Sequence, residues 1–330
     1  MPRVVSLPPR FSGAPFLASE AVAAGLGRER LRGRDLSAPF RGVRVAESAR
    51  DGEGLAFLER CRALQLLLGP EDAFSHVTTA RLWDVPLPRR LEGEHPLHVA
   101  TRRPGTRTRL TGTVGHTLAA DAEFAERFGL SVTDPAATWM ALAAFLQPIE
   151  LVIAADHLVL TPRVQDPVDE RPFVPLPMLV DAVRRHSGRH IRVLRSAVEL
   201  VRDGAESAQE TRLRLALVDA GLPEPLLNVD VTDARGRFLG RGDMVYPEWG
   251  VIVEYDGDHH RTDARQYDKD LTRHEAFTLS GWRHVRVRRF GMAEGPTSGV
   301  ARTEAALRSA GWRPGRVEKS PLRPNPAGWT

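Results

Sequence analysis

The chain has 330 residues but a single cysteine, Cys61, only two lysines, Lys269 and Lys319, and no apolar run near the roughly 20 residues that a membrane span needs. One cysteine excludes a disulfide within the chain and a zinc site built on thiolates. Within the apolar-patterned LAFLERCRALQLLLG, Cys61 reads as buried filler. The N-terminal MPRVVSLPPRFSG lacks a signal-peptide core, so a cytoplasmic location without a membrane partner is expected. Scarcity of lysine makes the basic charge almost wholly arginine, a residue that matches phosphate bidentately. The same bias follows from a GC-rich genome, so composition alone leaves nucleic acid open.

What is present is an ordinary globular balance, 42% hydrophobic and 27% charged, in a chain long enough for two or three domains. The formal net charge is +4, and it is unevenly spread: residues 1–110 carry 18 arginines against 12 acids. A basic first third is compatible with nucleic acid.

Five regions are expected: 1–50, 51–160, a proline-rich linker with connecting helices over 161–202, 203–312, and a disordered tail from 313. In the first, a short helix from Ser19, a break at Gly25-Leu26-Gly27, a basic helix over 28–36 and an extended FRGVRV follow the order of a winged helix-turn-helix. Arg28, Arg30, Arg32 and Arg34 would then meet DNA, with Arg41 and Arg44 on the wing; alternatively they solvate a small helical domain. Helices are predicted over 55–68 and 74–84, strands over 96–101 and 110–117, and a helical hairpin from Asp134-Pro135 to 160. His95, His98 and His116 are loosely spaced without an acid beside them and read as structural histidines. Helices follow at 176–186 and 191–202, and TPRVQDPVDERPFVPLP between the hairpin and these is the linker.

The last third is organised around RGDMVYPEWGVIVEYDGDHH, residues 241–260. Val251-Ile252-Val253 suits a buried strand, and Pro247 to Gly250 supplies turn chemistry before it. A turn centred between Glu248 and Trp249 sets Asp243 opposite Glu254. Period-two alternation puts Ile252, Glu254 and Asp256 on one face and Val251, Val253 and Tyr255 on the other. Like charges facing each other are costly without a cation, and hard oxygen ligands suit magnesium or manganese. The bland alternative is an acidic strand edge with Arg241 paired to Asp256. Upstream, Ser207 and Glu210 form a capping box, while Leu213, Leu217 and Ala220 continue the Glu210 face inward. Strands over 226–232, 238–246 and 251–257, a charged helix over 262–279, a strand over 282–288 and a helix over 297–310 complete the region.

Helix, three-strand meander, helix, strand is the order of a restriction-endonuclease-like core. The runs ETRLRLALVDAGLPEP, GRFLGRGDMVYPEWGVIVEYDGDHHR and QYDKDLTRHEAFTLSGWRHVRV resemble the very-short-patch-repair endonuclease domain of the PD-(D/E)XK superfamily, over about 203–290. More weakly, eAxxxGL, FRGV and SHxTTAxLW over 10–160 resemble AbiEi-type antitoxin proteins. The expected fold class is therefore α/β of mixed α+β type: a winged-helix-like region, then an endonuclease-like mixed sheet flanked by helices. The resemblance implies a magnesium-dependent DNA endonuclease, manganese being an alternative cofactor. It makes Asp243 and Glu254 the metal ligands, Glu210 the first-helix acid, Asp270 and Arg273 supporting residues and His260 the acid–base group, with His259 its neighbour.

Asp256 departs from the pattern, because the wider superfamily has a lysine there. A DNA-binding regulator or antitoxin-like protein that keeps the fold without cleavage therefore stays open, as does a protein partner for the N-terminal region. A third reading takes Asp256, Asp258, His259 and His260 as a mononuclear transition-metal centre. Arg261 and Arg265 either hold the DNA backbone or pair with Asp258 and Asp268.

Overall fold

A computed structural model describes residues 6–46, 53–93, 96–120, 122–257, 273–292, 295 and 297–314. The fold is mixed α/β, of α+β type, and its contacts divide it into two units, Met1–Leu142 and Ala143–Thr330.

The first unit begins with β1 (Phe16–Leu17), α1 (Ala18–Ala23), β2 (Leu36–Ser37) and β3 (Val43–Ala46), which form an antiparallel sheet in the order β1-β3-β2. Phe11, Phe16, Ala21 and Leu31 make its small core. The basic helix expected over 28–36 does not form: residues 30–32 make one 3-10 turn between Gly27 and Gly33. Arg30 closes that turn by a two-pronged pair with Asp35, at 3.0 and 2.7 Å, and Arg32 pairs with Glu29 at 3.1 Å. A single turn is too short to lie along a major groove.

Next come α2 (Glu53–Gln65), β4 (Asp72–Phe74), α3 (His76–Leu82), β5 (Leu97–Thr101), β6 (Thr113–Thr117), β7 (Phe124–Arg127), β8 (Leu130–Thr133) and α4 (Pro135–Leu142). The sheet order is β6-β5-β4-β8-β7. The β7–β8 hairpin carried no sequence expectation, its strands being only four residues long. Proline opens α4 as expected, and Asp134 caps it by accepting the Ala137 N–H at 2.9 Å. Cys61 is buried as expected, and burial pushes its thiol up to about 12.

The second unit starts with α5 (Pro148–Val159), α6 (Leu176–Arg185), α7 (Ile191–Val198) and α8 (Ala208–Asp219). The boundary expected at 160 thus falls earlier, because α5 packs on α7 and α8. A buried ion pair fixes this packing. Arg214 Nη2 donates to Asp156 Oδ2 at 2.8 Å, both side chains being at most 1% exposed. Burial pushes the Asp156 pKa up, opposed by Arg214, by the Arg202 N–H and by the Thr211 hydroxyl. Glu224 takes the second arm of the guanidinium at 2.9 Å. The linker has no regular element over 161–175, yet it is tied back: Thr161 N–H donates to Asp203, and Arg163 pairs with Asp230.

Then follow β9 (Leu226–Thr232), β10 (Phe238–Tyr246), β11 (Val251–Asp256), α9 (described over 273–279), β12 (Arg283–Arg288) and α10 (Gly299–Ser309). The sheet runs β12-β11-β10-β9, antiparallel except for the β11–β12 pair. Leu213, Leu217, Leu307 and Trp312 cover one face over Met244, Val251, Val253, Val285 and Val287. Phe277 of α9 covers the other, over Val231, Val245 and Ile252. Gly240 is the point of closest approach, since a Cβ there would lie 2.8 Å from Arg273 Cδ and 2.9 Å from Phe277 Cζ. Among the described residues no helix is long and apolar enough to cross a membrane. The tail expected to be disordered lies, beyond 314, outside the described residues.

Candidate metal centre

The β10–β11 hairpin has the expected register: Met244 faces Val253, Val245 faces Ile252 and Tyr246 faces Val251. Pro247–Trp249 form a 3-10 turn, and Gly250 closes it at φ 58°, a conformation few side chains tolerate. Continuing that register places Asp243 against Glu254, and Asp243 Oδ2 accepts the Tyr255 N–H at 2.8 Å. Burial, and then the charges of Glu210 and Glu254, raise the Asp243 carboxyl to about 7, despite Tyr255 and Arg273. Mutual repulsion of facing carboxylates is the expected signature of a site that takes a cation.

Glu210 reaches this centre from the first turn of α8. Ser207 Oγ accepts the Glu210 N–H at 3.2 Å and donates to Glu210 Oε1 at 2.8 Å. The return arm differs from a standard capping box, for Glu210 Oε2 takes the Glu206 N–H at 3.0 Å and Asn228 Nδ2 at 2.7 Å. Burial raises the Glu210 pKa, while these donors oppose the rise. The carboxylate therefore has ample partners as a cap, and its link to Asp243 is one of charge.

Glu254 is held differently. Its Oε2 lies 3.0 Å from His284 Nε2 and 3.4 Å from Arg273 Nη2. Burial would raise its carboxyl, but the His284 hydrogen bond and the positive charge around it hold it below the ordinary value. Its other oxygen, Oε1, is buried without a hydrogen-bond partner among the described residues. An orphaned buried carboxylate oxygen beside a second carboxylate is a place a cation would satisfy.

Two histidines join this centre that the sequence reading did not single out. His274 of α9 stacks on His284 with ring centroids 4.4 Å apart, and both its ring nitrogens are buried without a partner among the described residues. Burial first, and then His284, hold the His274 pKa down to about 4. Glu254, His274 and His284 bring their ligand atoms within 4.8 Å of one another, so they could hold a metal ion. The signal for His284 was in the alternation of RHVRVR: Val285 and Val287 point to the α8 face, so His284 and Arg286 share the face of Glu254.

Asp256 is held from the neighbouring strand. It turns to β12, where Arg286 Nη2 and Arg288 Nε each lie 3.0 Å from its Oδ2. The guanidiniums win because the parallel register sets Arg288 beside Asp256 and Arg286 beside Glu254. Arg241 pairs with Glu206 at 2.9 Å, not with Asp256. Arg273, named with Asp270 as a supporting residue, reaches Glu254 Oε2 at 3.4 Å. Asp258, His259, His260, Arg261, Arg265, Asp268 and Asp270 lie outside the described residues. In the first unit Arg28, Arg34 and Arg41 are exposed, whereas Arg30 and Arg32 are engaged with acids and Arg44 with the Leu31 and Val43 carbonyls.

No protein-family model, curated protein or solved structure matches the chain.

Proposed function

We propose that the second unit is a metal-dependent endonuclease acting on DNA, with Asp243 and Glu254 as the ligands of a magnesium or manganese ion. The observation that carries the reading is the facing pair itself: a carboxyl raised to about 7 beside one with an orphaned oxygen. Such an ion supplies charge neutralisation at a phosphate and a more acidic bound water. Arg273, next to Glu254, attracts the phosphate and offsets the acidic cluster. His284 orients Glu254, and Glu210 adds negative charge at the rim. His260 is the proposed acid–base group. The nitrogen-rich surroundings of Glu254 favour manganese more than a carboxylate-only site would. Arg28, Arg34 and Arg41 are the proposed backbone contacts of the first unit.

One observation favours a second reading, in which the fold binds DNA without cutting it. The cation expected at 256 is replaced by an acid whose charge Arg286 and Arg288 neutralise. On the nuclease reading, Arg286 itself carries the positive charge to the site from the neighbouring strand.

Supercoiled plasmid incubated with the full chain in magnesium, in manganese and in EDTA separates the two. Metal-dependent nicking that disappears in Asp243→Ala and Glu254→Gln supports the nuclease. Binding whose affinity falls with salt, without nicking in any metal, selects the second reading. Nicking undiminished in both variants would overturn the site.

A further inference from the structure

The second cluster of histidines lies in the first unit, far along the chain from the carboxylates. His98 of β5 and His116 of β6 share a sheet face two residues apart in the parallel register, in which Ala100 faces His116. Their rings meet with Nδ1 of His98 2.9 Å from Nε2 of His116. The third ring comes from His76, which follows β4, the other neighbour of β5. It stacks on His116 at a centroid distance of 3.6 Å and on His98 at 5.7 Å. His98 and His116, read from the sequence as structural histidines, are thus joined by His76 in one group, while His95 lies outside the described residues. Sequence spacing concealed this because β4 and β6 are neighbours only through β5.

Each ring is placed by its own backbone device. His98 N–H donates to Thr78 Oγ1 at 2.8 Å, and its carbonyl accepts the Ser75 N–H at 3.0 Å, locking β5 to the start of α3. On β6, Gly115 allows the Thr108 backbone to press where a Cβ would stand, fixing the strand beside His116. His76 has φ 51°, a left-handed conformation that costs energy in a non-glycine residue and persists where surroundings determine it. Ser75 Oγ, 3.0 Å from His76 Nδ1, engages one ring nitrogen and so selects which nitrogen turns inward.

We propose that His76, His98 and His116 form a tris-imidazole site for a borderline divalent transition cation, of which zinc is the representative probe. One nitrogen from each ring lies within 4.8 Å of the others, a spacing that ligands about 2.0–2.1 Å from one ion can adopt. Neutral imidazoles are the required form. Burial lowers the pKa of both His76 and His116, which favours the neutral ring. Three protein nitrogens leave a fourth position for water or an anion, and the half-exposed His76 and His116 leave that side reachable. The inference does not depend on the nuclease reading, since it uses no residue of the second unit.

Calorimetric titration of the full chain with zinc, and absorption spectra with cobalt(II), test it. His76→Asn suits the left-handed backbone, which asparagine also tolerates, and His116→Gln keeps a polar side chain on a strand; circular dichroism and thermal unfolding report the fold of each. Loss of an outer partner alone weakens metal sites about 10–100-fold, so loss of a ligand is expected to weaken one zinc-binding event at least as much. Cobalt(II) should show tetrahedral bands that weaken in both variants. Zinc affinity and cobalt spectra unchanged in folded His76→Asn and His116→Gln would overturn the proposal, as would absence of zinc binding by the unsubstituted chain.

Discussion

His284 Nε2 and Glu254 Oε2 are 3.0 Å apart, joining adjacent parallel strands, with only 8% and 7% of the two side chains exposed. The contact holds Glu254 at one oxygen and leaves the other for a ligand. His284→Ala leaves the held oxygen only the longer Arg273 contact at 3.4 Å, and a poorly satisfied buried acceptor costs about 1–3 kcal/mol. Urea denaturation of the metal-free protein should show a loss of that size, and manganese titration a weaker site. Unchanged manganese affinity in a stably folded variant would show that His284 does not position Glu254.

Asp243 makes stability depend on pH in a defined direction. A carboxyl whose folded pKa lies above its unfolded value binds its proton more tightly when folded. The contribution is present in full below about 4 and is lost as pH rises through about 7. A shift of that size has a ceiling of roughly 4 kcal/mol. Because the residue is not wholly buried, a loss of about 1–2 kcal/mol between pH 4 and 8 is expected for metal-free protein. Asp243→Asn should flatten that decline in denaturation curves taken across the range. Parallel curves would place the carboxyl elsewhere than in a repulsive pair.

Gly240 lies under α9 with no space for a methyl group. Gly240→Ala would press on the Arg273 stem and the Phe277 ring, and overpacking of this kind costs about 1–3 kcal/mol. Since Arg273 also reaches Glu254, the substitution should shift metal binding together with the melting temperature. Gly236→Ala is a contrasting case: open space surrounds that position, so only its positive φ opposes the change.

The Asp156–Arg214 pair predicts an asymmetry between single and double replacement. Asp156→Leu alone leaves a buried guanidinium short of its partner, and breaking such a pair costs about 3–5 kcal/mol. Asp156→Leu with Arg214→Met removes both charges and should recover a large part of that loss in urea denaturation. A double variant as unstable as the sum of its singles would mean that the hydrogen bonds, and not the charge balance, hold α5 to α8.

Much of the second unit was legible because local signals agreed with one another. Turn residues at 247–250 and the β-branched run after them fixed the hairpin register, and the expected faces of Ile252 and Val253 are the observed ones. The site was legible only where its residues lie on one hairpin. His274 and His284 meet Glu254 through a parallel pairing that no turn announces, and the arginine partners of Asp256 stand on that same strand. In the first unit, arginines between two glycines mimicked a recognition helix, but Gly33 and the Arg30–Asp35 pair favour a single turn. The histidine triplet needed the strand order β4-β5-β6, which spacing alone does not give.

The burial of Arg214 against a helix that begins at Pro148 also bears on where this module can be cut. A segment that held only residues from 203 onward would carry a guanidinium with its deepest acid left behind on α5. The smallest segment that carries its own charge balance begins before α5, close to the division at 142/143. Fusions that respect that joint should yield folded proteins, and the linker at 161–175, despite its four prolines, is the wrong place to cut.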